Sequence, residues 1–77
     1  MNTIKDTLDY IIQSIVSDPS TVTVTEQEQE GTLVFEIAAP EELVGKIIGK
    51  EGKVIKSIRT ILTLTYPETR FVLKIKE

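Results

Sequence analysis

Apolar residues recur along the first segment at Ile4, Leu8, Ile11, Ile12 and Ile15, the stripe of an amphipathic helix. Thr3 followed by Asp6 makes a capping-box start with Asp in place of Glu, and Asp18-Pro19 supplies the stop. Thr21 to Thr25 then alternates threonine and valine with period two and is β-branched throughout, which predicts a half-buried strand. Glu26 to Gly31 is polar and ends in glycine, so it reads as a hairpin connection. Alternation resumes from Thr32 to Ala38, with Leu33, Phe35 and Ile37 on one face. Pro40 at a first helical position, followed by Glu41 and Glu42 at the positive end of the dipole, opens a short helix carrying Leu43, Val44, Ile47 and Ile48. A second helix runs from after Gly52 to about Leu64, with Val54, Ile55, Ile58, Ile61 and Leu62 inward and Lys53, Lys56 and Arg59 outward; Tyr66-Pro67 ends it. The last strand is Arg70 to Lys76, with Phe71, Leu73 and Ile75 facing in. The predicted order is α-β-β-α-α-β over residues 1–77, a single two-layer α+β domain with a three-stranded sheet packed on three helices.

Composition narrows the chemistry. The 77 residues include no His, Cys or Trp, so disulfides, thiolate zinc sites and the commonest general base are absent. No carboxylate pair sits in an apolar surround either, and neither an enzyme nor a bound cofactor is expected. The N-terminal stretch carries Asp6 and Asp9 and no continuous apolar core, so it does not read as a signal peptide. No run is long enough to span a membrane, and a cytoplasmic location is the expectation. A core this small gains from association, since a chain of this length buries little more surface than it needs.

The formal charge of −3 argues at first against a nucleic-acid binder. Its distribution changes that reading. Met1 to Val44 holds one base and nine acids, net −8; Gly45 to Glu77 holds eight bases and three acids, net +5. Five of those bases, Lys46, Lys50, Lys53, Lys56 and Arg59, fall in one short stretch with a single acid, Glu51. Local fields of this kind decide what an anion meets, although a solvated helix face explains a basic cluster equally well.

Within that stretch the two short helices meet at Gly49-Lys50-Glu51-Gly52. Glycines admit backbone conformations barred to other residues and let a ligand approach the main chain. The turn leads into a helix N-terminus, whose free N–H groups and dipole favour an anion such as phosphate. Other glycine motifs fail on spacing. Three residues separate Gly45 from Gly49 where a P-loop needs four, Glu51 stands in place of its hydroxyl, and no Gly-x-Gly-x-x-Gly occurs. A plain helical corner, with glycine as a C-cap, is the bland alternative.

The run Ile47-Ile48-Gly49-Lys50-Glu51-Gly52-Lys53-Val54-Ile55 resembles the signature of the KH domain, Ile-Gly-x-x-Gly-x-x-Ile, and the element order is similar to the type II arrangement of bacterial members. The resemblance covers essentially the whole chain. It implies that Gly49, Lys50, Glu51 and Gly52 clamp the backbone of about four nucleotides of single-stranded RNA. It further implies that Ile48 and Ile55 line the groove and that Lys46, Lys53 and Lys56 flank it. Glu51 is the member that costs phosphate affinity, unless it points to solvent or pairs with Lys46, Lys53 or Lys56. Gly45 is assigned first to helix packing, and Arg59 to a surface ion pair as readily as to RNA. Arg70, Lys74 and Lys76 are expected on the open face of the sheet, in water, and the acidic run Glu26 to Glu30 on a side turned away from RNA.

Tyr10, Tyr66, Phe35 and Phe71 are the aromatics, and their spacing assigns them to core or helix-end packing rather than to a stacking platform. Bases are therefore expected to rest on aliphatic side chains. Small stand-alone bacterial members of the family imply an RNA chaperone or post-transcriptional regulator, forming homodimers or pairing with a larger KH protein. The competing reading is a protein-interaction module with little RNA affinity, for which Glu51 and the acidic total speak.

Overall fold

The computed structural model describes residues 3–76; Met1, Asn2 and Glu77, included in the predicted domain span, lie outside the described residues. Helix α1 covers Ile4–Ile15. The predicted capping box closes it: the Asp6 N–H donates to Thr3 Oγ1 and the Thr3 N–H donates to the Asp6 carboxylate, both at 3.1 Å. Ile4, Leu8 and Ile12 form its buried stripe, and the chain leaves the helix at Val16 with that side chain also buried. Tyr10 departs from the expectation. It lies two residues past Leu8, about 200° around the helix, and is 73% exposed.

Strand β1 covers Thr23–Gln29, not Thr21 to Thr25. Thr21 belongs to a short 3-10 turn, Pro19–Thr21, where its hydroxyl donates to the Asp18 carbonyl at 2.9 Å. The expected polar connection is mostly strand, because ladder pairing uses the backbone and asks nothing of the side chains. Glu26 pairs with Phe35, Gln27 with Val34 and Glu28 with Leu33, while their own side chains stay exposed. The turn shrinks to Glu30-Gly31, both with positive φ (53° and 82°), the backbone of a tight primed hairpin turn.

Strand β2, Thr32–Ala38, has the predicted bounds, and β3 covers Phe71–Lys76. β2 is central, antiparallel to β1 and parallel to β3, in the order β1-β2-β3. Parallel pairing of β2 with β3 requires a crossover, which the helical segment between them supplies. Helix α2 covers Glu41–Ile48 and α3 covers Lys53–Thr65. Pro40 caps α2 from one place outside it, where its carbonyl accepts from Leu43 and Val44 at 2.9 and 3.0 Å.

Phe35 and Ile37 of β2 are closed over by Ile4, Leu8, Ile12, Leu43, Ile47, Ile58 and Leu62, so one layer of helices covers one face of one sheet. This is the two-layer α+β arrangement of a type II KH fold. Ile61, expected inward, is 46% exposed, and Leu64 is 76% exposed. The inward stripe of α3 centres between Ile58 and Leu62, and Ile61 falls about 80° from that centre at 100° per residue. At the other end of α3, the Tyr66 hydroxyl donates to the Thr3 carbonyl at 3.0 Å and meets the Thr7 hydroxyl at 2.6 Å, tying the end of α3 to the start of α1. No helix among the described residues is long and apolar enough to cross a membrane.

Candidate nucleic-acid interface

The site is built from the junction of α2 and α3. The Gly49 N–H donates to the Gly45 carbonyl at 2.8 Å, closing α2, and the Gly52 N–H donates to the Gly49 carbonyl at 3.1 Å, closing a tight 3-10 turn over Lys50–Gly52. Gly49 adopts φ 79°, ψ 172°, a region essentially restricted to glycine. A Cβ there would also stand 2.4 Å from Val54 Cγ2 and 2.8 Å from the Val54 nitrogen. Gly52 is left-handed (φ 73°, ψ 16°), and a Cβ on it would meet only ordinary contacts at 3.9 Å. Glycine is therefore required at Gly49 by packing and backbone together, and at Gly52 by backbone alone.

Gly52 is the N-cap of α3, with no side-chain cap on the helix and no acid in its first turn. The Lys53 N–H donates back to the Lys50 carbonyl, so what the turn leaves for an outside partner is the positive end of the dipole, covered by no capping side chain. Lys50 and Lys53 flank that helix start, and Lys46 lies in the last turn of α2; all three are exposed, as is Lys56 one turn along α3. Ile48 and Ile55 are half-buried beside the turn, while Ile47 is wholly buried in the core and serves the fold. The junction thus brings together a basic edge, an open helix N-terminus and two aliphatic side chains accessible to a ligand. Such a surface can hold phosphate groups and shelter the apolar faces of bases.

Glu51 is exposed and carries positive φ (57°, with ψ 26°). Among the described residues the one ion pair is Lys5–Asp9 at 3.0 Å, so Glu51 pairs with none of Lys46, Lys53 and Lys56. Arg59 is likewise exposed and makes no ion pair within the described residues, which removes the surface pair expected for it. Lys74 and Lys76 are exposed on alternate positions of β3, and Arg70 is exposed just before it.

Gly45 overturns its assignment to helix packing. It is exposed inside α2, and a Cβ built on it meets nothing within 4 Å. Glycine in a helix interior is unfavourable against alanine, so Gly45→Ala is expected to stabilise the protein by about 0.5–1 kcal/mol in a urea titration. The signal that pointed to Gly45 was its spacing one turn ahead of Gly49. Val54, whose side chain shapes the turn against Gly49, carried no such signal.

Residues 5–76 match the family model described as the KhpA/KhpB KH domain. The RNA-binding protein KhpA of Thermotoga maritima is 44% identical over 59 residues, covering 77% of this chain and 79% of that protein. KhpA of Treponema pallidum is 37% identical over 68 residues, covering 86% and 85%, and KhpA of Chlamydia caviae is 45% identical over 58 residues, covering 75% and 74%. Among solved structures, Era in complex with MgGDPNP and a segment of 16S ribosomal RNA superposes with a TM-score of 0.60 at 23% identity, over 94% of this chain and 28% of that one. Era of Aquifex aeolicus bound to a GDP–aluminium fluoride complex gives 0.61 at 22% identity, over 95% and 30%. This chain spans about three-tenths of each Era chain, and the likeness is one of fold. With nearly its whole length matched, the chain belongs to the KhpA/KhpB family of KH domains.

Proposed function

We propose that this chain is a single KH module that binds single-stranded RNA at the α2–α3 junction, as an RNA chaperone or post-transcriptional regulator in the cytoplasm. The observation that carries the reading is the open N-terminus of α3, with Gly52 as a cap that offers no side chain and Lys50 and Lys53 exposed beside it. Its relatives are named RNA-binding proteins, which supports the same partner. In this reading Gly49, Lys50, Glu51 and Gly52 form the clamp, Ile48 and Ile55 the floor, and Lys46, Lys53 and Lys56 the flanks. The open space over Gly45 lets a strand lie close to the α2 backbone. No enzymatic step and no cofactor enter this account.

A site of this size neutralises few phosphates. With about 2–4 contacts, log Kd against log salt is expected to change with a slope of about 1.4–2.8 in magnitude. A much steeper slope in filter binding would mean that the acidic chain engages RNA over a broad surface rather than at one groove. Affinity from one module is modest, and two modules on one RNA raise it through effective concentration. Ile61 and Leu64, exposed on α3, support pairing with a second copy or with a larger KH protein. The same two residues favour the second reading, an interaction module with little RNA affinity, which predicts only weak RNA binding that the loop substitutions leave unchanged.

A further inference from the structure

Strand β1 forms a margin of the sheet, paired with β2 on one side, and no strand among the described residues pairs with its other side. Its ladder runs unbroken from Thr23 to Gln29, without the bulge or proline that commonly closes such an edge. Every residue in it except Val24 is exposed. The two-residue turn at Glu30-Gly31 fixes which groups point outward. In a hairpin of this kind the residues flanking the turn, Gln29 and Thr32, exchange both hydrogen bonds, and the pattern alternates from there. Thr25, Gln27 and Gln29 thus turn their main chain to β2, while Val24, Glu26 and Glu28 turn theirs to solvent. Three N–H groups and three carbonyls stand open along about 14 Å of edge.

The side chains of β1 sort by face. Val24, Glu26 and Glu28 pair with Ile37, Phe35 and Leu33, so they lie on the helix-covered side of the sheet, and Thr25, Gln27 and Gln29 lie on the other. Neither Glu26 nor Glu28 makes an ion pair among the described residues. The edge therefore presents open main-chain groups and carboxylates at the same residues, with uncharged hydroxyls and amides between them. A strand that completes it carries cations at every second position and uncharged polar residues at the positions between.

Other occupants fail on charge or on side. A second copy of β1 would set glutamates against glutamates. The β3 strand of a second copy, continuing the sheet with its helices on the same side, would bring Phe71, Leu73 and Ile75 to the glutamates and leave its lysines on the opposite face. A nucleic-acid strand is repelled. The glutamates that discourage most strands at this edge admit one of opposite charge.

We propose that the open edge of β1 is a docking site for an extended basic segment of a partner protein, added as a fourth strand with lysine or arginine at alternate positions opposite Glu26 and Glu28. The inference does not rest on the RNA-binding reading, and no residue of the α2–α3 junction takes part in it.

The test uses the intact chain and three short synthetic peptides with blocked ends. One alternates lysine and threonine, one has the same composition with its lysines in a single block, and one alternates glutamate and threonine. Fluorescence anisotropy is expected to place the alternating lysine peptide about tenfold above the block peptide and to find no binding of the glutamate peptide. Amide hydrogen exchange read by NMR is the second measurement. The alternating lysine peptide is expected to slow exchange at Val24, Glu26 and Glu28, the amides that β2 does not hold. The E26K/E28K variant is expected to lose that peptide by about tenfold or more and to bind the glutamate peptide instead. Equal binding of the two lysine peptides, or binding that leaves the three amides unprotected, would mean charge attraction without strand addition and overturns the inference. Failure of wild type to bind the alternating lysine peptide overturns it as well.

Discussion

Gly49→Ala is expected to cost roughly 3 kcal/mol or more, a large share of the total stability of about 4–11 kcal/mol usual for a chain of 77 residues. Two effects add at this position. The backbone at φ 79°, ψ 172° excludes residues with a Cβ, and the added methyl would stand 2.4 Å from Val54 Cγ2, so the first turn of α3 must shift. The same substitution at Gly52 and Gly45 sets the scale. Gly52→Ala meets no contact closer than 3.9 Å and is expected to cost only about 1–2 kcal/mol for left-handed backbone. Gly45→Ala, in open helix, is expected to stabilise. Urea titrations followed by circular dichroism should therefore rank the three as Gly45→Ala above wild type, then Gly52→Ala, then Gly49→Ala. Equal effects at Gly49 and Gly52 would refute the packing argument for the turn.

Phe35→Ala is expected to cost about 3–5 kcal/mol, a third or more of the total stability and a large shift in the urea midpoint. Phe35 is 0% exposed in the central strand, paired to Glu26 on one side and Leu73 on the other, and the helix layer closes over it. Its loss opens a cavity that a strand held on both edges cannot collapse to fill. Val34, the preceding residue, lies on the opposite face of the sheet, paired with Val72. Val34→Ala is expected to cost less than about 1 kcal/mol in the same titration, because that face is not covered by helices.

The distribution of charge has a structural side as well. Glu26, Glu28 and Glu30 lie on or beside the edge strand β1, and Lys74 and Lys76 on the other edge strand, β3. Charged side chains on both edges discourage pairing with further chains, which a three-stranded sheet with two free edges otherwise invites. A net charge of −3 thus hides two separate tasks. The acids blunt a sheet edge, and the bases of Lys46 to Arg59 surround the helix junction.

Patterns that depend on side-chain burial were legible along the chain. The stripe of α1, its capping box, the bounds of β2 and the inward positions Ile58 and Leu62 all follow from apolar periodicity or from local side-chain to backbone bonds. The extent of β1 was not legible, because Glu26 to Gln29 pair through the main chain and bury nothing. Ile61 and Tyr10 were misplaced for a related reason. An apolar residue at the rim of a helical stripe, or an aromatic on the far side of it, satisfies the count of hydrophobic residues without having a partner. At the site, the glycine spacing marked the turn and the flanking lysines. The left-handed backbone of Glu51 and the empty space over Gly45 were not legible, since neither leaves a trace in residue type.

In the proposed function the turn between α2 and α3 binds RNA through Lys50 and the side-chain-free start of α3. Replacing Lys50 and Glu51 together by aspartate keeps both glycines and places on the left-handed position a residue that tolerates it. The decisive measurement is the affinity of this double variant for single-stranded RNA, beside its circular dichroism spectrum and melting temperature. An unchanged spectrum and melt with affinity reduced about tenfold or more is the predicted result. An intact fold that binds RNA as tightly as wild type would contradict it.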